Sequence, residues 1–272
     1  MDYGLKGKAA IVAGGSRGIG KAIALGLASE GVDLVLAARG KDELEKSAAD
    51  IREQTGQKVI PLTFDATDRA SVEAMVERAA NELGKINILI NSASAPGGSP
   101  KAIGPIDEID EDQFLFDFNV KYLGALRLSR AVIPHMKNAG YGRIISISGG
   151  NARTPGNLSG GARNVSLVHM SRTLALQLGR DGITVNCIHP GITRTERTPK
   201  LLAARAAKTG TTPAEIEQQD YAPGAARGNA LGRMIDASEV ASVAVFLASD
   251  KAGAMTGELL SPNGGQGNAV YY

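Results

Sequence analysis

Three glycines, Gly14, Gly18 and Gly20, stand in the spacing GxxxGxG directly after the apolar run Ala9-Ala10-Ile11-Val12-Ala13. Residues 18–30 then carry apolar side chains at helical spacing, so the stretch reads as buried strand, tight turn and helix. The chemistry this suits is the binding of a pyrophosphate. Glycine opens dihedrals closed to other residues, and a chain without side chains can lie against phosphate. The helix N-terminus adds unpaired N–H groups and a partial positive charge. Ser16 and Arg17 place a hydroxyl and a cation inside the turn. The plainer alternative is an ordinary strand-to-helix turn. The context favours a dinucleotide site built from Gly14, Ser16, Arg17, Gly18, Ile19 and Gly20.

The charge beside the adenosine ribose decides which dinucleotide fits. A carboxylate after the second strand of such a fold binds the free hydroxyls of NAD, whereas a basic residue suits the 2′-phosphate of NADP. Here the second apolar run ends Leu34-Val35-Leu36-Ala37-Ala38-Arg39, with alanine at 38 and a cation next to it. An arginine fork can hold a phosphate through two parallel hydrogen bonds. With Arg17 as a second cation, NADP(H) is expected over NAD(H); a solvated surface charge is the plainer reading of Arg39.

These residues need elements to position them. Candidate strands fall at 8–13, 32–37, 58–63, 86–90, 143–148, 183–188 and 258–261, and candidate helices at 18–30, 41–54, 68–83, 111–136, 161–180 and 238–249. Strands separated by helices imply right-handed crossovers and a parallel sheet covered on both faces. The expected fold is α/β, a three-layer Rossmann-type doubly wound parallel sheet of about seven strands, with 1–272 forming a single domain. Two stretches break the rhythm: 92–106, rich in Gly, Pro and Ser, and 191–236, a long polar insertion with short helical pieces. Both follow strand C-terminal ends, where open α/β sheets bind ligands. Residues 195–236 are expected to form a substrate lid.

Composition excludes other classes of function. The 272 residues are 43% hydrophobic and 21% charged, ordinary for a soluble globular protein. A net charge of +2 implies no broad basic surface, so nucleic acid is not an expected partner. The single cysteine, Cys187, cannot form an internal disulfide, fits a reducing compartment, and reads as a buried core thiol. No signal pattern and no long apolar segment stand out, so a cytoplasmic protein without a membrane partner is expected. His135, His169 and His189 lack metal-ligand spacing, and no metal is expected.

The order of motifs resembles the short-chain dehydrogenase/reductase family over nearly the whole chain. The turn from Gly14 to Gly20 is similar to its cofactor turn, and Asp65-Ala66-Thr67 to its adenine-contacting segment. Asn91-Ser92-Ala93-Ser94 stands where the family has Asn-Asn-Ala-Gly, and Asn119-Val120 matches the Asn of its catalytic tetrad. Residues 185–195, with Pro190, Gly191, Thr193 and Thr195, match the Pro-Gly segment that holds the nicotinamide carboxamide. Leu231-Gly232-Arg233, Phe246-Leu247-Ala248-Ser249, Thr256-Gly257 and Asn263-Gly264-Gly265 resemble its C-terminal signatures. The resemblance therefore implies cofactor contacts from Asp65, Ala66, Asn91, Ser92, Ala93, Pro190, Gly191, Thr193 and Thr195. It also implies a homotetramer or homodimer built on helices 111–136 and 161–180, with the apolar tail 269–272 at an interface.

One region departs from the family. Its carbonyl chemistry uses a Tyr as proton donor, a Lys four residues later that lowers the Tyr pKa, and a Ser that steadies the substrate oxygen. Residues 142–166 contain neither Tyr nor Lys. Matching the downstream helix Ser171-Arg172-Thr173-Leu174-Ala175 puts the Tyr position at Gly160 and the Lys position at Asn164. Five residues remain as candidates for the site. Asn119 matches the tetrad, Asn164 can hydrogen-bond the nicotinamide ribose, Arg163 can stabilise an oxyanion by charge, and Ser148 offers a hydroxyl, as does Ser159. Tyr122 is the best-placed tyrosine by spacing, three residues past Asn119, with packing as its plainer role.

A positioned general acid contributes about 10²–10⁴-fold, or about 3–5 kcal/mol of barrier. Its loss leaves cofactor positioning intact and favours substrates needing less protonic help. Two readings follow. One is an NADP(H)-dependent oxidoreductase with a non-standard active site, acting on a small carbonyl, hydroxy or enone substrate. The other is a catalytically silent NADP(H)-binding homologue, a sensor or partner protein. Lyase or isomerase chemistry on bound cofactor stands behind both.

Overall fold

Strands buried on both faces build the core. In the computed structural model, which describes residues 2–94 and 98–267, β1 (Ala9–Ala13), β2 (Asp33–Ala38), β3 (Val59–Thr63), β4 (Ile88–Asn91), β5 (Gly142–Ile147) and β6 (Ile183–Ile188) alternate with helices. The helices are α1 (Gly18–Ser29), α2 (Lys41–Thr55), α3 (Arg69–Leu83), α4 (Glu111–Phe118), α5 (Gly124–Ala139) and α6 (Leu158–Leu178). After β6 come β7 (Thr193–Arg194), α7 (Thr198–Thr209), α8 (Pro213–Asp220), β8 (Ile235–Asp236), α9 (Ala237–Ala248) and β9 (Leu259–Leu260). The main sheet has seven strands in the order β3-β2-β1-β4-β5-β6-β9, all parallel. This is the expected three-layer doubly wound architecture.

Side chains along each strand point to opposite faces, and the two faces have different partners. Val12, Leu34, Leu36 and Ile90 pack under α1, α2 and α9, against Ile23, Leu27, Leu44, Val240 and Leu247. Ile11, Val35, Leu89 and Ile144 pack under α3, α5 and α6, against Val72, Val76, Leu128, Val132 and Leu178. The chain runs outward from β1 through β2 and β3, then returns to pair β4 with the other edge of β1. The crevice at that reversal, beyond Ala13 and Asn91, is where such sheets bind ligands.

Local chemistry sets the helix ends. Asp68, Asp110 and Asn157 accept hydrogen bonds from first-turn N–H groups of α3, α4 and α6, and capping boxes start α8 and α9. The Asn157 cap begins α6 at Leu158, three residues before the sequence expectation. The expected single helix over 111–136 is instead α4 and α5 joined by a π turn, Asn119–Leu123. β5 ends at Ile147, which leaves Ser148 in the loop. Helices α7 and α8 are the short helical pieces expected in the insertion 191–236, and a two-residue ladder joins β7 to β8. The apolar tail 269–272 lies outside the described residues.

Candidate active site

The C-terminal ends of the central strands open into a cleft of about 980 Å³. At its centre the glycine turn forms a cradle. Gly14 has φ +81°, and a Cβ there would stand 2.7 Å from the backbone of Ser92 and Ala93. A Cβ on Gly20 would collide with the Gly14 carbonyl. The N-cap residue Arg17 makes no side-chain cap to the first turn of α1, whose residues Gly18, Ile19 and Gly20 line the cleft. The Gly18 N–H donates 3.0 Å to Glu196 Oε2, an acidic oxygen where a phosphate oxygen would sit. The residues present therefore fit a pyrophosphate. Gly14, Ser16, Arg17, Gly18, Ile19, Gly20, Ser92 and Ala93 all line the cleft.

At one end lie Ala38, Arg39, Asp65 and Ala66. The Thr67 backbone N–H and hydroxyl both donate to Asp65 Oδ1, at 2.8 and 2.7 Å, and hold that carboxyl below its usual range, with smaller help from Arg39 and Arg127. Arg17 and Arg39 are exposed cations on the rim. Pro190, Gly191, Thr193 and Thr195 form the facing wall. The Thr193 hydroxyl donates 2.9 Å to the Gly191 carbonyl, and a Cβ on Gly191 would meet the Asn263 backbone at 2.8 Å.

At the other end Ser148, Gly160, Arg163 and Asn164 converge. The Ser148 hydroxyl donates 3.1 Å to the Asn164 carbonyl, while Asn164 Oδ1 is buried without a hydrogen-bond partner. Asn164 lines the cleft, and an unpartnered acceptor in such a residue suits a ribose hydroxyl. Arg163 is buried, with Nη1 3.8 Å from Asp117 Oδ2. Asp117 in turn accepts from the Ser99 N–H and hydroxyl and from the Ser159 hydroxyl, all at 2.8–2.9 Å. Burial lowers the Arg163 pKa and the Asp117 carboxylate opposes the shift. Ser159 thus serves this buried pair.

A residue that sequence reasoning passed over enters the same end. Lys121 lies in the π turn, lines the cleft, is 9% exposed, and donates from Nζ to the Ser148 carbonyl at 3.0 Å. The sequence signal was a charge inside the apolar run from Val120 to Leu126. A uniform helix over 111–136 gave no reason to turn it inward; the wider π turn re-aims it.

Two expected contacts are not brought to the cleft. The Asn91 amide is buried in the core and donates to the hydroxyls of Ser129 and Ser146, both at 3.4 Å. The Asn119 side chain accepts from Arg127 Nη1 at 2.8 Å and does not line the cleft. Tyr122 packs on Phe118, ring centroids 4.9 Å apart, beside Leu167 and Met170. Among the described residues no tyrosine lines the cleft and no His/Cys/Asp/Glu cluster could hold a metal. Cys187 is a buried thiol pushed up to about 11, chiefly by desolvation.

A family described as enoyl-(acyl carrier protein) reductase matches residues 13–266. The NADPH-dependent reductase BacG of Bacillus subtilis is 31% identical over 266 residues, which cover 97% of this chain and 99% of that protein. The 3-oxoacyl-[acyl-carrier-protein] reductase FabG of Haemophilus influenzae is 30% identical over 263 residues, 96% of this chain and 98% of the relative. The crystal structure of L-sorbose reductase from Gluconobacter frateurii, complexed with NADPH and L-sorbose, has a TM-score of 0.90 at 31% identity, covering 97% of this chain and 98% of that one.

Proposed function

Because the chain belongs to the short-chain dehydrogenase/reductase family, we propose that it is an NADP(H)-dependent oxidoreductase with a non-standard active site, acting on a small carbonyl, hydroxy or enone substrate. The observation that carries this is the single cleft running from Arg17 and Arg39, past the glycine cradle, to Ser148, Arg163 and Asn164. The names of the relatives support it: all three are reductases, and NADPH belongs to two of them. When bound, the reduced nicotinamide supplies a hydride to the substrate. Arg17 and Arg39 favour a cofactor with a third phosphate. Asn164 Oδ1 orients the ribose, and Arg163 offers positive charge to a developing oxyanion. Residues 195–236 close over the substrate as a lid.

Binding and turnover test this. NADPH should bind more tightly than NADH, and Arg39→Asp should reverse or abolish the preference. A preference for NADH unaffected by Arg39→Asp would sink the cofactor assignment. NADPH oxidation with ketones, quinones or enones above the solvent background supports the oxidoreductase. The silent reading is favoured by Gly160 and Asn164 standing at the Tyr and Lys positions. It predicts tight NADPH binding with no turnover of any of these substrates.

The same reading places the protein in the cytoplasm as a homotetramer or homodimer. Exposed Leu115 and Phe116 on α4, and Val165 and Leu176 on α6, supply apolar area for assembly. Light scattering should give a dimer or tetramer mass at micromolar concentration; a monomer would refute it. No helix among the described residues is long and apolar enough to cross a membrane.

A further inference from the structure

Reduction of a carbonyl places a proton on oxygen, and neither position that holds the family's acid pair can supply one: Gly160 has no side chain and Asn164 carries an amide. Lys121 lines the same cleft and, from the π turn, reaches the Ser148 carbonyl beside these positions. Its ammonium has three donors, and among the described residues its one hydrogen-bond partner is the Ser148 carbonyl. The neighbouring hydroxyl of Ser148 is tied to the carbonyl of Asn164, the Lys position. We propose that Lys121 Nζ is the proton donor of this active site, an ammonium brought in from the π turn to replace the acid missing from α6. The inference rests on the oxidoreductase reading above.

The groups around Nζ come from several elements. Arg163 faces it from α6, with Asp117 of α4 beyond; Cys187 faces it from β6; His189 follows β6, with Arg153 beyond. No carboxylate forms an ion pair with Lys121 among the described residues. Burial first, then the Arg163 charge, brings the ammonium down to about 7. An acid matched to neutral pH is the most effective proton donor. The other candidates fail on chemistry. His189 is pushed down to about 4 by desolvation, Arg153 and Lys121, so it is neutral near pH 7. Arginine does not release its proton in this range. The Cys187 thiol is raised by burial and does not line the cleft.

The step balances with NADPH as reductant. As hydride reaches the carbonyl carbon, the π electrons of C=O move to oxygen. The Nζ–H bond breaks, its proton forms the O–H bond, and Lys121 is left as a neutral amine that regains a proton from water. In the reverse direction the neutral amine accepts the alcohol proton. Reduction therefore falls, and oxidation rises, as pH climbs through about 7.

The test begins with the protein free of substrate. Magnetic resonance of isotopically labelled lysine side chains should show one Nζ/Cε pair titrating near 7, absent in Lys121→Met, while surface lysines titrate near 10.4. In the wild type, kcat for NADPH-driven carbonyl reduction should fall above that pH. Lys121→Met should lower kcat by about 10²–10⁴-fold and remove the pH step, with NADPH binding retained as the check on folding. Lys121→Arg keeps the charge without a releasable proton and should be as slow as Lys121→Met. The inference is overturned by Lys121 titrating with the surface lysines in an active wild type, by Lys121→Arg at wild-type kcat, or by an undiminished Lys121→Met. A wild type that binds NADPH and reduces no carbonyl or enone overturns the oxidoreductase reading, and the donor with it; the titration tells that failure from failure of the donor alone.

Discussion

At Gly160, where the match to the downstream helix would put the family's tyrosine, little space is left for a side chain. A Cβ there would stand 2.6 Å from Asn151 Nδ2 and 2.9 Å from Asn157 Cγ, and Asn157 is the residue whose side chain caps α6. The double variant Gly160→Tyr, Asn164→Lys should therefore fail to restore the usual chemistry. The tyrosine must displace the cap, at about 1–3 kcal/mol of overpacking. The new lysine adds a second cation beside Ser148, whose carbonyl already holds Lys121. Urea unfolding should show a lowered midpoint, and carbonyl reduction should not rise; a faster enzyme of wild-type stability would contradict this. Asn164 invites a milder test. Its buried Oδ1 has no partner until a ligand hydroxyl arrives, so Asn164→Ala should weaken NADPH binding by about 0.5–1.5 kcal/mol, read as a higher Kd in a fluorescence titration.

At the scale of elements, the lid and the π turn separate what the sequence makes legible from what it does not. Strands β1 to β6 announce themselves because each is a short apolar run between turn residues. The π turn adds one residue to a helical turn without altering composition, so periodicity over 111–136 could not reveal it or the inward Lys121. Segment 195–236 also carries packing and ion pairs of its own. Leu202, Ala206 and Ile216 form a small core of their own, and Asp220 is held by Arg205, at 2.7 Å from Nη2, and by Arg227 at 3.2 Å. Lid and cofactor turn meet where Glu196 accepts the Gly18 N–H. That carboxylate occupies the positive end of α1, the place a phosphate needs. Glu196→Gln should therefore tighten NADPH binding by about 0.3–1 kcal/mol, a Kd lowered by up to about fivefold. Weaker binding would mean that Glu196 holds the lid productively and does not compete with the cofactor.

For the whole molecule, the seven-stranded parallel sheet and the glycine turn were legible because both rest on local patterns, apolar runs and glycine spacing. At the other end Ser148, Arg163 and Asn164 were legible through the resemblance, whereas Lys121 was not, because only the π turn brings it beside them. The same burial that tunes that end taxes the whole fold. His189 is buried with Nδ1 unpartnered, and its folded pKa is about 4 against an ordinary 6.5. Above pH 6.5 neither folded nor unfolded chain binds this proton. As pH falls from 6.5 to 4 the unfolded chain takes it up first, so stability declines, on the order of 3 kcal/mol at completion. Lys121, folded near 7 against an ordinary 10.5, adds an upper leg: stability falls as pH drops from about 10.5 to 7. Tyr141 closes the alkaline side. Burial raises its pKa above 10.0, so the unfolded chain ionises first and stability is lost as pH rises past 10. Urea midpoints should climb from pH 4.5 toward 10 and then turn down. His189→Gln should flatten the segment between 5.5 and 6.5, above the ordinary carboxylate range, and Lys121→Met the segment between 7 and 10. A wild-type profile flat from 5 to 9 would contradict both legs, since it requires these two cations to meet the same environment folded and unfolded.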